Sequence, residues 1–155
     1  MKWRSTLADH SLFFDGASKG NPGATDGGGV LLNPAGSITL SFSLGLGQNS
    51  NNRAEALALW QGLKLALSKN IRKLVVFGDS RIIVQAMNTK RSPSQVHLAH
   101  LFKKINLLAS KFQKIRFFHI LRDLKALVDL EANNGSLLVR SLLSLDGTVS
   151  FCNIP

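Results

Sequence analysis

The sequence predicts one α/β domain, built on a mixed five-stranded sheet of three antiparallel plus two parallel strands with helices on both faces. Short apolar strands and turn residues fill the first third of the chain, and strands then alternate with segments of helical periodicity. The chain has 155 residues, of which 45% are hydrophobic, enough for one domain with its own core. The predicted element order is β-β-β-α-β-α-α-β-α.

The three antiparallel strands come first. Residues 11–15 are predicted to form strand one, which ends in a turn at Asp15-Gly16, and residues 27–32 form strand two. Apolar and polar residues alternate over 37–44, as expected for a half-buried third strand. The segment 33–36, with proline at its second position, favours a turn that joins strands two and three into a hairpin.

The βα part begins after a predicted loop over 45–52. A helix is expected from Arg53 to about Lys69, with Asn52 as its N-cap and Glu55 completing a capping box. The apolar run 72–78 is typical of a buried parallel strand. The remaining predicted elements are helices over 81–88, 94–111 and 124–133, the last ended by Asn134-Gly135, and a strand over 114–120.

Three regions are expected: an N-terminal extension over 1–10, the domain over 11–135, and a tail over 136–155. The tail is apolar and could be an extra helix, a partner contact or a disordered end. No apolar run approaches the roughly 18 residues of a membrane span, and the N-terminus lacks the apolar segment of a secretory signal. We therefore expect no membrane partner and an intracellular protein. Cys152 is the single cysteine, which excludes an intramolecular disulfide and a cysteine metal cluster.

The charge balance is strongly basic, with 19 Lys and Arg against 9 Asp and Glu and a net charge of +10. Such an excess favours a polyanionic partner, most commonly nucleic acid, although a basic protein without such a partner is the alternative. Some of these cations either contact phosphates or form a solvated helix face: Lys90, Arg91, Lys103, Lys104, Lys111, Lys114 and Arg116.

Four of the nine acidic residues are candidates for a shared site: Asp15, Glu55, Asp79 and Asp129. If strands one and four are neighbours, Asp15 and Asp79 project from adjacent strand ends, where α/β sheets place their sites. Each acid also has a local interpretation, as a turn residue, a capping-box residue, an N-cap and a solvated helix residue respectively. Their joint placement weakens those four interpretations.

Four segments together resemble the motifs of type 1 ribonuclease H: DGASKGNPG, SNNRAEALALWQGL, VVFGDSRIIVQAM and HILRDLKALVDLEAN. The resemblance covers about residues 11–134 in the family's order, and the most similar subgroup is the plant reverse-transcriptase-associated and archaeal-like one. It implies the same succession of strands and helices that the residue patterns predict.

The resemblance implies an endonuclease that hydrolyses the RNA strand of RNA–DNA hybrids and leaves a 5′-phosphate and a 3′-hydroxyl. The family's catalytic carboxylates fall on Asp15, Glu55, Asp79 and Asp129, which would hold two Mg²⁺ ions about 4 Å apart around the scissile phosphate. One ion would activate the attacking water and the other would stabilise the leaving oxygen, and Mn²⁺ is expected to substitute. We expect the protein to act as a monomer.

The resemblance also implies substrate contacts. Asn51, Asn52 and the backbone of Gly16–Ser18 match positions that read RNA 2′-hydroxyls, and Asn21 and Ser50 match polar positions near phosphates. Arg122 matches a loop position that assists proton transfer and product release, whereas His119 is interpreted as a strand residue. The full set of expected substrate-binding residues is Gly16, Ser18, Asn21, Ser50, Asn51, Asn52, Arg53 and Ser80.

Two residues depart from the family pattern near the fourth carboxylate. Lys125 stands where the family has Asn, and Val128 where it has Ala. A second function is therefore a catalytically weak or inactive domain that binds nucleic acid or protein. A transposase or integrase core shares the fold but lacks the Asn-Pro-Gly and Asn-Asn-Arg-Ala-Glu motifs.

Overall fold

The computed structural model describes residues 9–19, 23–49, 51–91, 96–120, 142–145 and 148–151. The predicted helix over 124–133 and nearly all of the N-terminal extension lie outside these ranges. The described elements are strands β1 (His10–Lys19), β2 (Gly23–Leu32), β3 (Ile38–Asn49), β4 (Lys73–Gly78), β5 (Lys114–His119), β6 (Leu142–Leu145) and β7 (Thr148–Phe151), and helices α1 (Asn51–Ser68), α2 (Arg81–Thr89) and α3 (Val96–Ala109).

The strands form one sheet in the order β5-β4-β1-β2-β3-β6-β7. The pairs β1–β2 and β2–β3 are antiparallel, whereas β1–β4 and β4–β5 are parallel. The predicted mixed five-stranded sheet is therefore confirmed, with β1 at its centre.

Two strands beyond that sheet come from the tail. β6 pairs antiparallel with β3, in the register Phe42↔Leu145 to Leu44↔Leu143, and β7 pairs with β6. None of the three expectations for the tail included this pairing. Its described residues extend the sheet of the domain beyond β3.

The predicted turn at Asp15-Gly16 is wrong. β1 continues through both residues to Lys19, and it stays paired with β2 through Asp15↔Gly28, Gly16↔Gly27 and Lys19↔Ala24. Asp-Gly favours a turn locally, but here hydrogen bonds to β2 keep the backbone extended. Asp15 thus lies inside a strand rather than at its end.

The hairpin of β2 and β3 is confirmed. Its turn closes with a hydrogen bond from Gly36 N to Asn33 O at 2.8 Å, and Gly36 has a positive φ of 86°. The predicted loop over 45–52 is wrong, because β3 extends to Asn49 opposite Gly23. A register shift at Thr25/Asp26 accommodates the glycine-rich end of β3.

Helix α1 begins at Asn51, two residues before the predicted start. Asn52 is therefore inside the helix, so its predicted role as N-cap, and with it the capping box to Glu55, is wrong. The helix ends where Asn70 adopts a left-handed φ of 61° and Ile71 N donates to Ala66 O at 3.1 Å. This closure satisfies terminal carbonyls and turns the chain into β4.

The shorter helices agree with the predicted spans. Ser80 is the N-cap of α2, and its hydroxyl accepts a hydrogen bond from Ile83 N at 3.3 Å. Helix α3 buries Leu101 and Ile105 and exposes Lys103 and Lys104. No helix in the described ranges is both long enough and apolar enough to cross a bilayer.

The core lies on both faces of the sheet. On one face, Phe14, Leu31 and Phe42 pack against α1, α2 and α3 in a single cluster. The other face holds a second buried cluster that includes Phe13 and Phe77.

Candidate active site

Asp15 and Asp79 are brought together by the parallel pairing of β1 with β4. The last paired residues are Phe14 and Gly78, so Asp15 and Asp79 are the next residues along two neighbouring strands. Phe13 and Phe77 stack two positions earlier, with ring centroids 4.7 Å apart. Because side chains alternate along a strand, both aspartates lie on the same face of the sheet as these rings. The backbones at this register are separated by about 4.8 Å.

Glu55 reaches the same end of the sheet through the first turns of α1. Gly16 fixes this approach, since a Cβ at Gly16 would lie 2.4 Å from the Ala54 carbonyl carbon and 2.5 Å from Glu55 N. Only a glycine lets the helix backbone approach β1 so closely. The Oε2 atom of Glu55 is shielded from solvent. Three of the four predicted carboxylates are thus carried by adjacent elements at one end of the sheet.

The structure does not support the local interpretations of these three acids as a turn residue, a capping-box residue and an N-cap. Asp15 lies within a strand, so it is not a turn residue. Asn52 lies inside α1 rather than at its N-cap, and the cap of α2 is Ser80 rather than Asp79. Asp129, the fourth predicted carboxylate, lies outside the described residues.

Asp15 is 3% exposed, and burying a carboxylate without compensation is costly. Asp15, Glu55 and Asp79 have polar or electrostatic contacts within the described structure. The site therefore concentrates negative charge in an otherwise basic protein.

No group of three carboxylate, imidazole or thiol side chains in the described ranges is arranged to hold a metal ion by itself. Mg²⁺ binds through one or two carboxylates together with waters and substrate phosphates, and does not require a complete protein cage. The oxygen donors of Asp15 and Asp79 are of the kind that Mg²⁺ prefers, so the donor set fits this ion.

The structure describes some of the predicted substrate-binding residues with their side chains and others by their backbone only, and the rest lie outside the described ranges. Gly16 is buried against α1, and Asn52 and Arg53 are half-buried in the first turn of that helix. The hydroxyl of Ser80 caps α2. Ser18 and Asn51 are placed by their backbone only, in β1 and at the start of α1, whereas Asn21, Ser50 and Arg122 lie outside the described residues.

His119 is a strand residue, as predicted, and lies close to the site. It ends β5 in register with Gly78, and its Nε2 lies 3.1 Å from the carbonyl oxygen of Asp79. A carbonyl only accepts, so Nε2 donates this hydrogen bond. The position of His119 at the carboxyl end of a parallel strand was the sequence signal for this contact.

The basic residues divide between different parts of the molecule. Lys111 and Lys114 precede or begin β5, so they lie at the opposite end of the sheet from Asp79. Arg116 is half-buried, with its guanidinium carbon 5.7 Å from the Phe118 ring centroid. Lys90, Arg91, Lys103 and Lys104 are exposed on or beside α2 and α3.

The family model described as reverse transcriptase-like matches residues 13–135. The chain therefore belongs to the reverse transcriptase-like family, and proteins named ribonuclease H are among its relatives. A bifunctional protein of Mycobacterium tuberculosis is 31% identical over 122 residues, which cover 78% of this chain and 34% of that protein. Ribonuclease HI of Halobacterium salinarum is 28% identical over 123 residues, 79% of this chain and 62% of that protein.

Solved structures give the same fold. The crystal structure of RNase H1 from Halobacterium salinarum superposes with a TM-score of 0.78 at 27% identity, covering 82% of this chain and 96% of that one. LC11-RNase H1 in complex with RNA/DNA hybrid gives 0.75 at 27% identity, covering 81% and 95%. The predicted ribonuclease H-like fold is confirmed. The chain spans between 21% and 34% of the length of the first curated relatives it matches.

Proposed function

We propose that this domain is a ribonuclease H, an endonuclease that hydrolyses the RNA strand of RNA–DNA hybrids and leaves a 5′-phosphate and a 3′-hydroxyl. The observation that carries the proposal is the register of β1 and β4, which sets Asp15 beside Asp79 next to the α1 turn that bears Glu55. The family membership and the likeness to a ribonuclease H1 solved with a hybrid support the same activity.

Asp15, Glu55 and Asp79 are proposed to hold two Mg²⁺ ions together with Asp129, and Mn²⁺ is expected to replace them. When bound, such ions supply an activated water and neutralise the charge that develops on the phosphate and the leaving oxygen. The protein contributes rigidity, because the strand pairing and the close contact of Gly16 with α1 fix the backbone positions that carry these carboxylates.

Substrate recognition is proposed to follow the same edge. The backbone of Gly16–Ser18 and the amides of Asn51 and Asn52 would read the RNA 2′-hydroxyl, because an amide both donates and accepts hydrogen bonds. Asn21, Ser50, Arg53 and Ser80 would contact the strands nearby, and Arg122 would assist proton transfer and product release.

The test is a cleavage assay with end-labelled RNA–DNA hybrid, double-stranded RNA and single-stranded RNA, each with Mg²⁺, Mn²⁺ or EDTA. Only the hybrid should be cut, and only with a divalent ion. Asp79→Asn should lower the rate by at least about 100-fold, the usual cost of one group that stabilises transition-state charge, with an unchanged melting temperature. Asp9→Asn makes the same chemical change at the other end of the sheet and should cut at the wild-type rate.

Three outcomes would contradict the proposal. Equal cleavage by Asp79→Asn would remove this residue from the site. Cleavage in EDTA would remove the metal ions from the reaction. Tight hybrid binding with no cleavage by the wild-type chain, in either metal, would instead support a binding domain.

A further inference from the structure

We propose that the amino ends of the parallel strands carry a second nucleic-acid-binding surface, which takes a segment of phosphate backbone other than the hybrid at the carboxylates. This rear basic surface is defined by five exposed cations: Lys69, Arg72, Lys73, Lys111 and Lys114. It does not depend on cleavage, and the carboxylates take no part in it.

The pairing of β4 with β5 brings these cations close together. Lys73 starts β4 and Lys114 starts β5, and the two are direct partners in the register. Gln113 N and Lys114 N both donate to the carbonyl oxygen of Arg72, at 2.8 and 3.2 Å, so the turn that carries Lys111 is tied to the start of β4. The cations are therefore held together by backbone hydrogen bonds.

Their side chains repel one another in the free protein. Like charges on directly paired strand residues are unfavourable, and Lys73 and Lys114 form such a pair. Among the described residues, none of the five cations forms an ion pair with a carboxylate. Helix dipoles account for two of them, since Lys69 and Lys111 follow the C-terminal ends of α1 and α3. Arg72, Lys73 and Lys114 have no such explanation and are the core of the proposal.

A cleft of about 320 Å³ opens beside these residues and gives the surface a concave shape. Lys69, Arg72 and Lys73 line it together with the polar side chains of Asn70 and Gln113, and Asp9 is the acid among its lining residues. Cations that alternate with amide donors suit phosphate oxygens, which accept several hydrogen bonds at once. An acidic protein segment could use the charges but has fewer acceptors to match the amides.

The distance to the carboxylates excludes a shared contact with the same phosphates. β4 has six residues and separates Lys73 from Asp79, a rise of roughly 20 Å. A hybrid at Asp15 and Asp79 lies beyond the carboxyl ends of the strands. The rear basic surface thus meets a distant part of the same nucleic acid or a second molecule, and both present the same phosphate chemistry.

The experiment saturates the full chain with unlabelled short hybrid in EDTA and then titrates a labelled DNA duplex. Wild type should bind the duplex, and Arg72→Gln/Lys73→Gln/Lys114→Gln should bind it at least about tenfold more weakly, with a slope of log affinity against log salt flatter by up to about three. The matched control, Lys90→Gln/Arg91→Gln/Lys103→Gln, removes the same charge elsewhere and should lose much less affinity for the duplex.

Cleavage of the short hybrid with Mg²⁺ provides the second readout. The triple variant Arg72→Gln/Lys73→Gln/Lys114→Gln, called the rear variant, should retain the wild-type kcat and KM. The proposal fails if the rear variant binds the duplex like wild type, if the control loses as much affinity, or if poly-glutamate displaces the duplex as well as DNA does. Unaltered duplex binding by a chain that cuts no hybrid would refute the proposed function alone.

Discussion

The contact between Gly16 and α1 can be tested by adding a single carbon. In Gly16→Ala the new Cβ would lie 2.4 Å from the Ala54 carbonyl carbon and 2.5 Å from Glu55 N. Both are backbone atoms of a helix, so they cannot rotate away as the end of a side chain can. Ordinary contacts of a Cβ begin near 3.4 Å, and the strand and the helix must therefore separate by about 1 Å.

Two magnitudes follow from this separation. Overpacking of this kind costs roughly 2–3 kcal/mol, because side chains and backbone must shift together. In a domain of this size that lowers the melting temperature by about 4–12 °C. A displacement of about 1 Å between Glu55 and Asp15 also disturbs the geometry needed for catalysis, and should lower kcat by about 100-fold.

The assay combines thermal unfolding with hybrid cleavage measured well below the melting temperature. Gly62→Ala is the matched control, because its Cβ would meet the side chain of Leu12 at 2.7 Å rather than backbone. It should lower the melting temperature and leave kcat within a few-fold of wild type. Normal melting and cleavage by Gly16→Ala would refute the argument, as would an equal loss of kcat in Gly62→Ala.

Two further substitutions test the carboxyl end of β4. Ser80→Ala removes the hydroxyl that accepts from Ile83 N and should destabilise the protein by about 1 kcal/mol, whereas Ser80→Asn keeps a cap and should melt like wild type. A raised KM in both variants would show that Ser80 also contacts substrate. His119→Ala loses the donor to the Asp79 carbonyl and should lower kcat by about tenfold with little change in KM, and His119→Gln should recover most of this loss. Equal kcat in all three proteins would show that the hydrogen bond does not position Asp79.

The carboxylate end of the sheet was predictable because its signals are local. The apolar run before Asp79 identifies a buried strand, and a carboxyl end is where such sheets place polar chemistry. Asp15 and Glu55 lie at this end of the sheet, although the turn and the capping box predicted for them were wrong. At Asp15 the local preference for a turn gave way to pairing with β2, which the sequence around the residue does not encode.

Long-range pairing also explains what sequence patterns missed. β3 continues through Gly45 and Gly47 because β2 lies opposite, although glycines favour a loop. β6 pairs with β3 although roughly 100 residues of chain separate them. The four residues of β6 contain no turn signal or hydrophobic periodicity that would identify β3 as the partner strand. The rear basic surface was overlooked because its cations are close only after β4 and β5 are paired in register.

The hairpin of β6 and β7 affects how one copy of the chain can associate with another. Without it, the 12-residue β3 would present a row of free backbone donors and acceptors, flanked by the buried side chains of Phe42 and Leu44. Such an edge is a template for intermolecular strand addition and aggregation. With the hairpin in place, the outermost strand on this side is β7, which has four residues. A short edge offers few hydrogen bonds to a second chain, so the hairpin shields the segment of β3 from Phe42 to Leu44 against strand addition.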